Sequence, residues 1–327
     1  TGNVALGESA LDSNVSGGSN VAIGTNVLTA NTANLNTAVG HQALKANTTG
    51  ANNVAMGASS LDANTTASNN VAVGTWTLTE NTTGANNVAI GREVLQANTT
   101  GNNNTAVGHQ AGYSNTTGGV TAFGQKALYG NTTGYDNTAV GLQALLANTT
   151  GNLNTALGHT ALASNTTGGS NTAVGRTALF NNTTASNNTA VGHQSLYANT
   201  GIDNSALGYQ SLWANTTGVD NSAFGRSALA LNTTGRDNNA FGYTALYANT
   251  TGNYNVALGK EALRFNTTAS SNTAVGYQAG YNNTTGTYNT FVGKDAGLSN
   301  TTGSSSSFFG EYSGRASTGN SNTFYGQ

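Results

Sequence analysis

The chain has 327 residues, only 7% of them charged, and a formal net charge of −2. Ordinary globular domains carry about 25% charged residues. A nucleic-acid surface needs clustered Lys and Arg, so we expect no nucleic-acid partner. Cysteine is absent, which excludes disulfides, thiol catalysis and cysteine-bound zinc. No apolar run approaches the ~20 residues that cross a bilayer, so we also expect no membrane span.

A short repeat with a period of mostly seventeen runs through the chain. A glycine recurs from Gly7 to Gly326, and most of the intervals between successive copies are seventeen positions long, the other four being sixteen. We number the slots of each repeat from the residue four before this glycine. The consensus is then N-T/V-A-V-G-x-x-A-L-x-x-N-T-T-G-x-x, with the recurrent glycine in slot 5.

This array predicts one domain. No linker, charge run or change of composition interrupts it, so residues 1–327 are expected to form a single solenoid of about 19 turns. The sequence begins at Thr1 and ends at Gln327 inside the repeat, without a polar cap. Uncapped solenoids expose strand edges, so we expect a segment of a longer fibre or a subunit within one.

Slots 1–5 predict a short β-strand that ends at the glycine, because Val and Thr favour pleated structure. Slots 5–12 are ambiguous, since Gly, Ala, Leu and Asn recur there at the spacing of a helix face. Strands in a ladder lie about 4.8 Å apart, whereas packed helices need roughly 8–10 Å. We therefore predict an all-β fold, a parallel β-solenoid with two short strands per turn. A strand plus a short helical turn is the alternative.

Charge is restricted to six slots. All 22 charged residues occupy slots 6, 7, 10, 11, 16 and 17, and a charge is rarely buried without a partner. We expect these slots to face water. The predicted core of each turn is thin: alanine in slot 3, an aliphatic residue in slot 4 and leucine in slot 9. Near the C-terminus slot 3 becomes phenylalanine at Phe291, Phe308 and Phe324 while glycine replaces the leucine, so the core should change dimensions there.

Asparagine recurs in slots 1 and 12. We interpret both columns as ladders of side-chain amides that hydrogen-bond from turn to turn. A sharper hypothesis is glycosylation, because most slot-12 asparagines begin an N-x-S/T sequon. Sugars about 4.8 Å apart would be crowded, so occupancy should be partial. The predicted glycan-bearing residues are Asn14, Asn47, Asn64, Asn81, Asn98, Asn115, Asn131, Asn148, Asn165, Asn182, Asn215, Asn232, Asn249, Asn266, Asn283 and Asn300.

Aromatic residues recur in slot 10 and predict an interaction stripe. Such a stripe binds sugars or a partner chain, or packs laterally against other copies in a fibre or trimer; we favour lateral packing. Its members are Tyr113, Tyr129, Phe180, Tyr197, Trp213, Tyr247 and Tyr281, and slot 6 adds Tyr209, Tyr243 and Tyr277.

No residue pattern predicts catalysis, a cofactor or a metal site. The four histidines occupy slot 6 of separate repeats, too far apart to share one ion. Three aspartates occupy slot 17 of three consecutive repeats, but the glycine-rich aspartate repeat of calcium-binding β-rolls is absent. A regular solenoid offers no cleft for a catalytic triad, so we expect a protein that is not an enzyme. These residues are His41, His109, His159, His193, Asp203, Asp220 and Asp237.

The segment Asn20-Val21-Ala22-Ile23-Gly24 and its copies resemble the S/N-V-A-I-G repeats in the heads of trimeric autotransporter adhesins. They are also similar to the N-T-A-V-G repeats of bacterial surface and phage tail-fibre proteins. The resemblance extends over the whole chain. It implies a left-handed parallel β-roll with one coil per repeat and three chains side by side. The present repeat is longer than the adhesin repeat by an inserted N-T-T-G turn.

These patterns predict a structural protein of an extracellular or cell-surface fibre or filament, adhesive and glycosylated. Its expected partners are copies of itself, as a filament or trimer, and glycans. One alternative is a phage tail-fibre shaft that binds carbohydrate. Another is an ice-binding solenoid, in which ranked threonines of slots 13 and 14 order water on a flat face.

Overall fold

The computed structural model describes residues 2–326, and their regular structure is all β, with no helix in that range. The chain divides into two compact units, Thr1–Thr167 and Gly168–Gln327. In each unit every repeat forms one turn of a parallel β-solenoid and contributes one short strand to it. The predicted parallel β-solenoid is confirmed, and the helical alternative is wrong. The single domain of residues 1–327 stays a prediction.

In the first unit each strand pairs in parallel with the next, so that Ala55 lies beside Ala72 and Ala72 beside Ala89. The strands of this unit are β1 (Val4–Leu6), β2 (Val21–Ile23), β3 (Thr37–Val39), β4 (Val54–Met56), β5 (Val71–Val73), β6 (Val88–Ile90), β7 (Thr105–Val107), β8 (Thr121–Phe123), β9 (Thr138–Val140) and β10 (Thr155–Leu157).

The second unit repeats this arrangement, with Ala223 beside Ala240 and Ala240 beside Ala257. Its strands are β11 (Thr172–Val174), β12 (Thr189–Val191), β13 (Ser205–Leu207), β14 (Ser222–Phe224), β15 (Asn239–Phe241), β16 (Val256–Leu258), β17 (Thr273–Val275), β18 (Thr290–Val292), β19 (Ser307–Phe309) and β20 (Thr323–Tyr325).

The second strand predicted for each turn is wrong. Slots 7 and 9 hold left-handed residues instead, for example Gln42 at φ 60° and Leu44 at φ 49°. The amide of Gln42 donates to Thr25 in the preceding turn, whereas that of Leu44 donates to Ser60 in the following turn. In a pleated strand these two amides would face the same neighbour. The segment is therefore hydrogen-bonded on both sides without being extended.

Each strand ends at the slot-5 glycine, and no other residue fits at this position. Gly57 has φ +134°, and a Cβ on it would lie 2.5 Å from the carbonyl oxygen of Gly74 in the next turn. That φ is one which L side chains rarely adopt. The glycine column thus lets successive turns approach as closely as the strand ladder requires.

The core lies on the inner side of each strand. Ala55 and Leu61, in slots 3 and 9, are fully buried, as is Ser60 in slot 8. Slot 4 was predicted to belong to this core, and that prediction is wrong: Met56 is 44% exposed and Ile90 40%. Successive side chains of a strand point to opposite faces, so an inward slot 3 turns slots 2 and 4 outward.

The predicted change of core dimensions near the C-terminus is confirmed at Phe291 and Phe308, whereas Phe324 is 44% exposed. Phe291 and Phe308 are fully buried, with ring centroids 5.6 Å apart. A Cβ on Gly280, where most turns have leucine, would lie 2.5 Å from Cδ2 of Phe291. The phenylalanine ring thus fills the volume that the missing leucine leaves.

Most charged residues face water as expected, but slot 7 is an exception. Glu261 and Asp295 are only 8% and 7% exposed. A guanidinium nitrogen of Arg264 lies 3.0 Å from the Glu261 carboxylate and compensates its charge. In residues 2–326 there is no helix of the length and apolar character needed to cross a membrane.

Candidate functional site

The asparagines of slot 12 form a buried ladder, as predicted. In the first unit Nδ2 of Asn64 donates to Oδ1 of Asn47 at 2.8 Å, and Nδ2 of Asn81 donates to Oδ1 of Asn64 at 3.0 Å. In the second unit Asn232 donates to Asn215 at 2.7 Å. Each amide therefore joins its own turn to the preceding one.

Slot 1 carries a second ladder with a different bonding pattern. The backbone amide of Asn53 donates to Oδ1 of Asn36 at 3.0 Å. Nδ2 of Asn36 and Nδ2 of Asn47 both donate to the carbonyl of Gly50, at 2.9 and 2.8 Å. The two asparagine columns thus converge on one turn carbonyl and satisfy the polar backbone of the turn.

The asparagines predicted to carry glycans are members of the slot-12 ladder. Fifteen of the sixteen are fully buried, and Asn14 is half-buried. A glycan on Asn47 would replace bonds that its Nδ2 makes to Asn31 at 2.7 Å and to Gly50 at 2.8 Å. In the folded solenoid these fifteen side-chain nitrogens are buried and cannot receive a glycan. The predicted row of sugars at them is therefore not compatible with this fold.

The threonines next to these asparagines split into two rows. The slot-13 hydroxyl bonds to the following turn, as Oγ1 of Thr48 donates to the carbonyl of Thr65 at 2.9 Å. The slot-14 residues, such as Thr49 and Thr66, are exposed. Slot-13 hydroxyls are therefore engaged in the fold, and an ice-binding surface stays a prediction that concerns slot 14 alone.

The slot-10 stripe is mainly a stack of rings within the chain. Tyr113 and Tyr129 stack with centroids 5.1 Å apart in the first unit. In the second unit Tyr197 lies between Phe180 at 5.5 Å and Trp213 at 6.4 Å, with nearly parallel planes. Tyr197 is thus stacked on both faces, whereas each of the other four rings is stacked on one face. Neighbouring turns therefore occupy part of the ring surface that a sugar would use.

The remaining stripe residues behave less regularly. Tyr281 meets the slot-11 ring of Phe265 edge-on at 5.0 Å, and Tyr247 is half-buried. The slot-6 tyrosines Tyr209 and Tyr243 are more exposed, at 44% and 43%. The aromatic residues of slots 6 and 10 therefore do lie in columns from turn to turn, while their role in binding stays a prediction.

No metal site is assembled among residues 2–326 from three or more His, Asp or Glu side chains. The histidines lie in separate turns, and His41, His109 and His159 are exposed. Asp203 and Asp220 are exposed in slot 17, and Asp237 lies 3.9 Å from the guanidinium of Arg236. The structure does not bring these side chains together.

A shallow groove in the first unit was not predicted. Trp76, 42% exposed, lines it with Tyr113 and polar side chains, and the guanidinium of Arg92 lies 5.1 Å from the tryptophan ring centroid. The polar lining consists of Ser59, Asp62, Thr79, Glu93 and Gln96.

The two carboxyl groups of the groove differ in acidity. Burial raises the pKa of Asp62 above its ordinary value. The pKa of Glu93 is lowered, chiefly because Nε2 of Gln110 donates to it at 2.7 Å. Arg92, 2.8 Å from Glu93, acts in the same direction. The groove therefore places the Glu93 carboxylate, held in its charged form by Gln110 and Arg92, beside an exposed aromatic ring.

The outward strand face is the other surface that the sequence interpretation missed. In the first unit slot 4 exposes Met56, Ile90, Phe123 and Leu157 by 40–46%. In the second unit it exposes Leu207, Phe224, Phe241 and Leu258 by 36–49%. The alternation of strand side chains was the available signal, since a buried slot 3 requires an outward slot 4.

Comparison of the sequence with protein-family models and with curated proteins finds no match.

Proposed function

We propose that this chain is a structural segment of an extracellular or cell-surface fibre, and that copies of it associate side by side through the outward strand face. The observation that carries the proposal is the apolar slot-4 column. Large hydrophobic side chains such as Ile90 and Phe123 are each 40% exposed there. A monomeric soluble protein rarely exposes a continuous apolar patch, and such patches ordinarily mark association surfaces.

Charge placement supports the same interpretation. No charged residue occupies slots 1–5, so the strand face lacks the lysines and other charges that keep exposed β surfaces apart. Slot 2 adds small or β-branched residues, for example Val54 and Thr37, which allow close approach of a flat partner. Burial of this face would add hydrophobic stabilisation of about 25 cal/mol per Å² of apolar surface.

The proposal is tested by placing charge on the face. Ile90→Lys and Phe123→Lys together put two cations on the outward side of β6 and β8 without touching the inward alanines. Light scattering over a concentration series and electron microscopy of the full chain measure the assembly. We expect the unaltered chain to form oligomers or fibres and the double variant to shift towards monomer.

The matched control is Thr83→Lys with Thr133→Lys, which adds the same charge at exposed slot-14 positions. This variant should assemble like the unaltered chain. An unaltered chain that is monomeric at every concentration would overturn the proposal, as would a face variant that assembles normally.

Carbohydrate binding is a second candidate, favoured by the groove at Trp76. One face of this ring is covered by Arg92, and the residue in the same slot of the preceding turn is the small Ser59. An exposed indole beside Glu93 and Gln96 combines a stacking surface with hydrogen-bonding groups, as sugar sites do.

The chain has two tryptophans, so Trp213→Phe leaves Trp76 as the single indole fluorophore. Titration of this variant with neutral oligosaccharides should change its emission if the groove binds them. Trp76→Ala should abolish retention on the same immobilised sugars. Unchanged emission throughout a panel of neutral oligosaccharides would exclude this candidate.

A further inference from the structure

One column of the second unit alternates tyrosine and cation in successive turns. Slot 6 of five consecutive repeats holds Tyr209, Arg226, Tyr243, Lys260 and Tyr277. We call these five residues the tyrosine–cation column. In-register turns place them above one another, so neighbouring members lie about 4.8 Å apart along the ladder.

Each cation of the column lies between two rings. Cζ of Arg226 is 5.5 Å from the ring centroid of Tyr209 and 5.9 Å from that of Tyr243. Nζ of Lys260 is 5.9 Å from the centroid of Tyr243 and 5.5 Å from that of Tyr277. All four distances are within the range of cation–π attraction. The two charges are therefore held in place, about two turns apart.

The column is open to solvent. Arg226 and Lys260 are exposed, and the three tyrosines are 40–44% exposed. Neither cation has an ion-pair partner within residues 2–326. The next cation in the slot, Lys294, differs, because its Nζ lies 3.0 Å from Glu311 and 2.7 Å from the hydroxyl of Tyr312.

Nearby acids do not cancel this charge at the surface. Glu261 follows Lys260 in the chain, but it is 8% exposed and its carboxylate contacts Arg264 at 3.0 Å and Gln278 at 2.6 Å. In the other direction, the ring of His193 stacks on Tyr209 at 5.5 Å. Asp295, whose backbone amide donates to the carbonyl of Tyr277, is likewise only 7% exposed, so the charges most open to a ligand along the column are the two cations.

We propose that the tyrosine–cation column binds a linear acidic polysaccharide, whose carboxylate or sulfate groups pair with Arg226 and Lys260. Two fixed cations about 10 Å apart, twice the ladder spacing, suit a polymer with regularly spaced anions better than a single small anion. The planar guanidinium accepts a carboxylate or sulfate in a two-point contact, and the lysine supplies a point charge. The hydroxyls of Tyr243, between the two cations, and of Tyr209 and Tyr277, on either side of them, can bond to sugar hydroxyls.

Single-stranded nucleic acid is the other polyanion to consider, and the geometry disfavours it. Such strands bind where bases stack on free aromatic faces. The faces of Tyr243 are covered by Arg226 on one side and Lys260 on the other. An acidic polysaccharide has no aromatic bases and does not need free ring faces, so the covered tyrosines do not hinder its binding.

The test uses the full chain and immobilised polygalacturonate, chondroitin sulfate, neutral dextran and oligo(dT) in parallel. The double variant Arg226→Gln, Lys260→Gln should bind the acidic polysaccharides at least tenfold more weakly. Its binding should also depend less steeply on salt, because fewer counterions are released. Both residues are exposed, so the fold should be retained, and circular dichroism checks this.

The matched control is Lys45→Gln with Lys126→Gln, which removes the same charge from the first unit. It should bind like the unaltered chain. The proposal is overturned if the unaltered chain ignores both acidic polysaccharides at low salt, or if the two double variants bind equally. Retention on neutral dextran equal to that on the acidic polysaccharides would show that charge is irrelevant. Tighter binding to oligo(dT) than to the acidic polysaccharides would identify nucleic acid as the partner instead.

Discussion

The side chain of Asn64 donates to the side chain of Asn47, in the same slot of the preceding turn, across 2.8 Å. Its second amide hydrogen goes to the carbonyl of Ala67 at 3.1 Å, and its oxygen accepts from Asn81 at 3.0 Å. Asn64 is fully buried. Every polar atom of this side chain is thus paired away from water, and adjacent turns are joined by side chains as well as strands.

Replacing Asn64 by leucine keeps the approximate volume and removes these three hydrogen bonds. Because buried partners are left unsatisfied, we expect local destabilisation of about 1–3 kcal/mol. Hydrogen exchange of the amides in neighbouring turns measures it, since a repeat array can open locally. The control Thr66→Ala changes an exposed residue two positions away and should leave protection unaltered. Equal protection in both variants would contradict a structural role for the ladder.

The same burial gives a prediction about glycosylation. Incubation with an oligosaccharyltransferase should modify the denatured chain at all its sequons, whereas in the folded chain the fifteen buried slot-12 asparagines should stay unmodified. Sugar on the folded chain should be confined to half-buried Asn14 and to the sequons outside slot 12, at Asn103, Asn181, Asn187 and Asn282. Intact mass reads out both reactions. Thr66→Ala destroys the sequon of Asn64 while keeping the asparagine, and in the denatured chain it should remove one site. Glycans mapped by peptide mass to buried slot-12 asparagines of the folded chain would show that the ladder opens readily.

Much of the fold follows from sequence because the repeat is regular. The nearly constant interval between the slot-5 glycines fixed the turn length, and the asparagine columns indicated the ladders. The second strand was wrong because glutamine and leucine rarely adopt positive φ, yet Gln42 and Leu44 do so here. A signal existed: glycine replaces the slot-9 leucine at Gly112, where φ is 60°.

The surfaces were harder to predict than the core. Apolar slot-4 residues such as Ile90 were placed inside on hydrophobicity alone, although alternation with the buried slot 3 puts them outside. The pairing of Arg226 with Tyr209 and Tyr243 depends on register between turns, which a single repeat does not reveal. The groove at Trp76 likewise depends on residues from several turns.

The glycine column should tolerate no side chain. Gly57→Ala introduces a Cβ 2.5 Å from the carbonyl oxygen of Gly74, at φ +134°. Backbone strain of this kind costs about 1–3 kcal/mol before the clash is added, so we expect a clear drop in the unfolding midpoint. The control is Gly130→Ala in slot 11, where other turns carry alanine, for example Ala46. A Cβ on Gly130 would lie 3.0 Å from the carbonyl oxygen of Leu146 without the positive φ of Gly57, so the urea midpoint of this control should fall much less than that of Gly57→Ala.

The exchange of leucine for phenylalanine near the C-terminus can be tested by reversal. Phe291→Ala should destabilise the second unit by about 3–5 kcal/mol, because it empties a buried ring volume. Gly280→Leu alone should also destabilise, since a Cβ there would meet Cδ2 of Phe291 at 2.5 Å. Leucine is acceptable to the backbone at that slot, as Leu263 adopts φ 50° in the preceding turn.

Gly280→Leu gives its own turn, which has Ala274 in slot 3, the alanine–leucine combination that most other turns use. Phe291→Ala in the next turn removes the ring that this new leucine would meet, while Gly297 stays in slot 9 of that turn. We therefore expect the double variant to be more stable than either single variant, so that its loss of stability is smaller than the sum of the two single losses. Urea unfolding of the four chains measures this. Additive effects would mean that the phenylalanine and the glycine do not share one volume, contrary to the packing of Phe291 against Gly280.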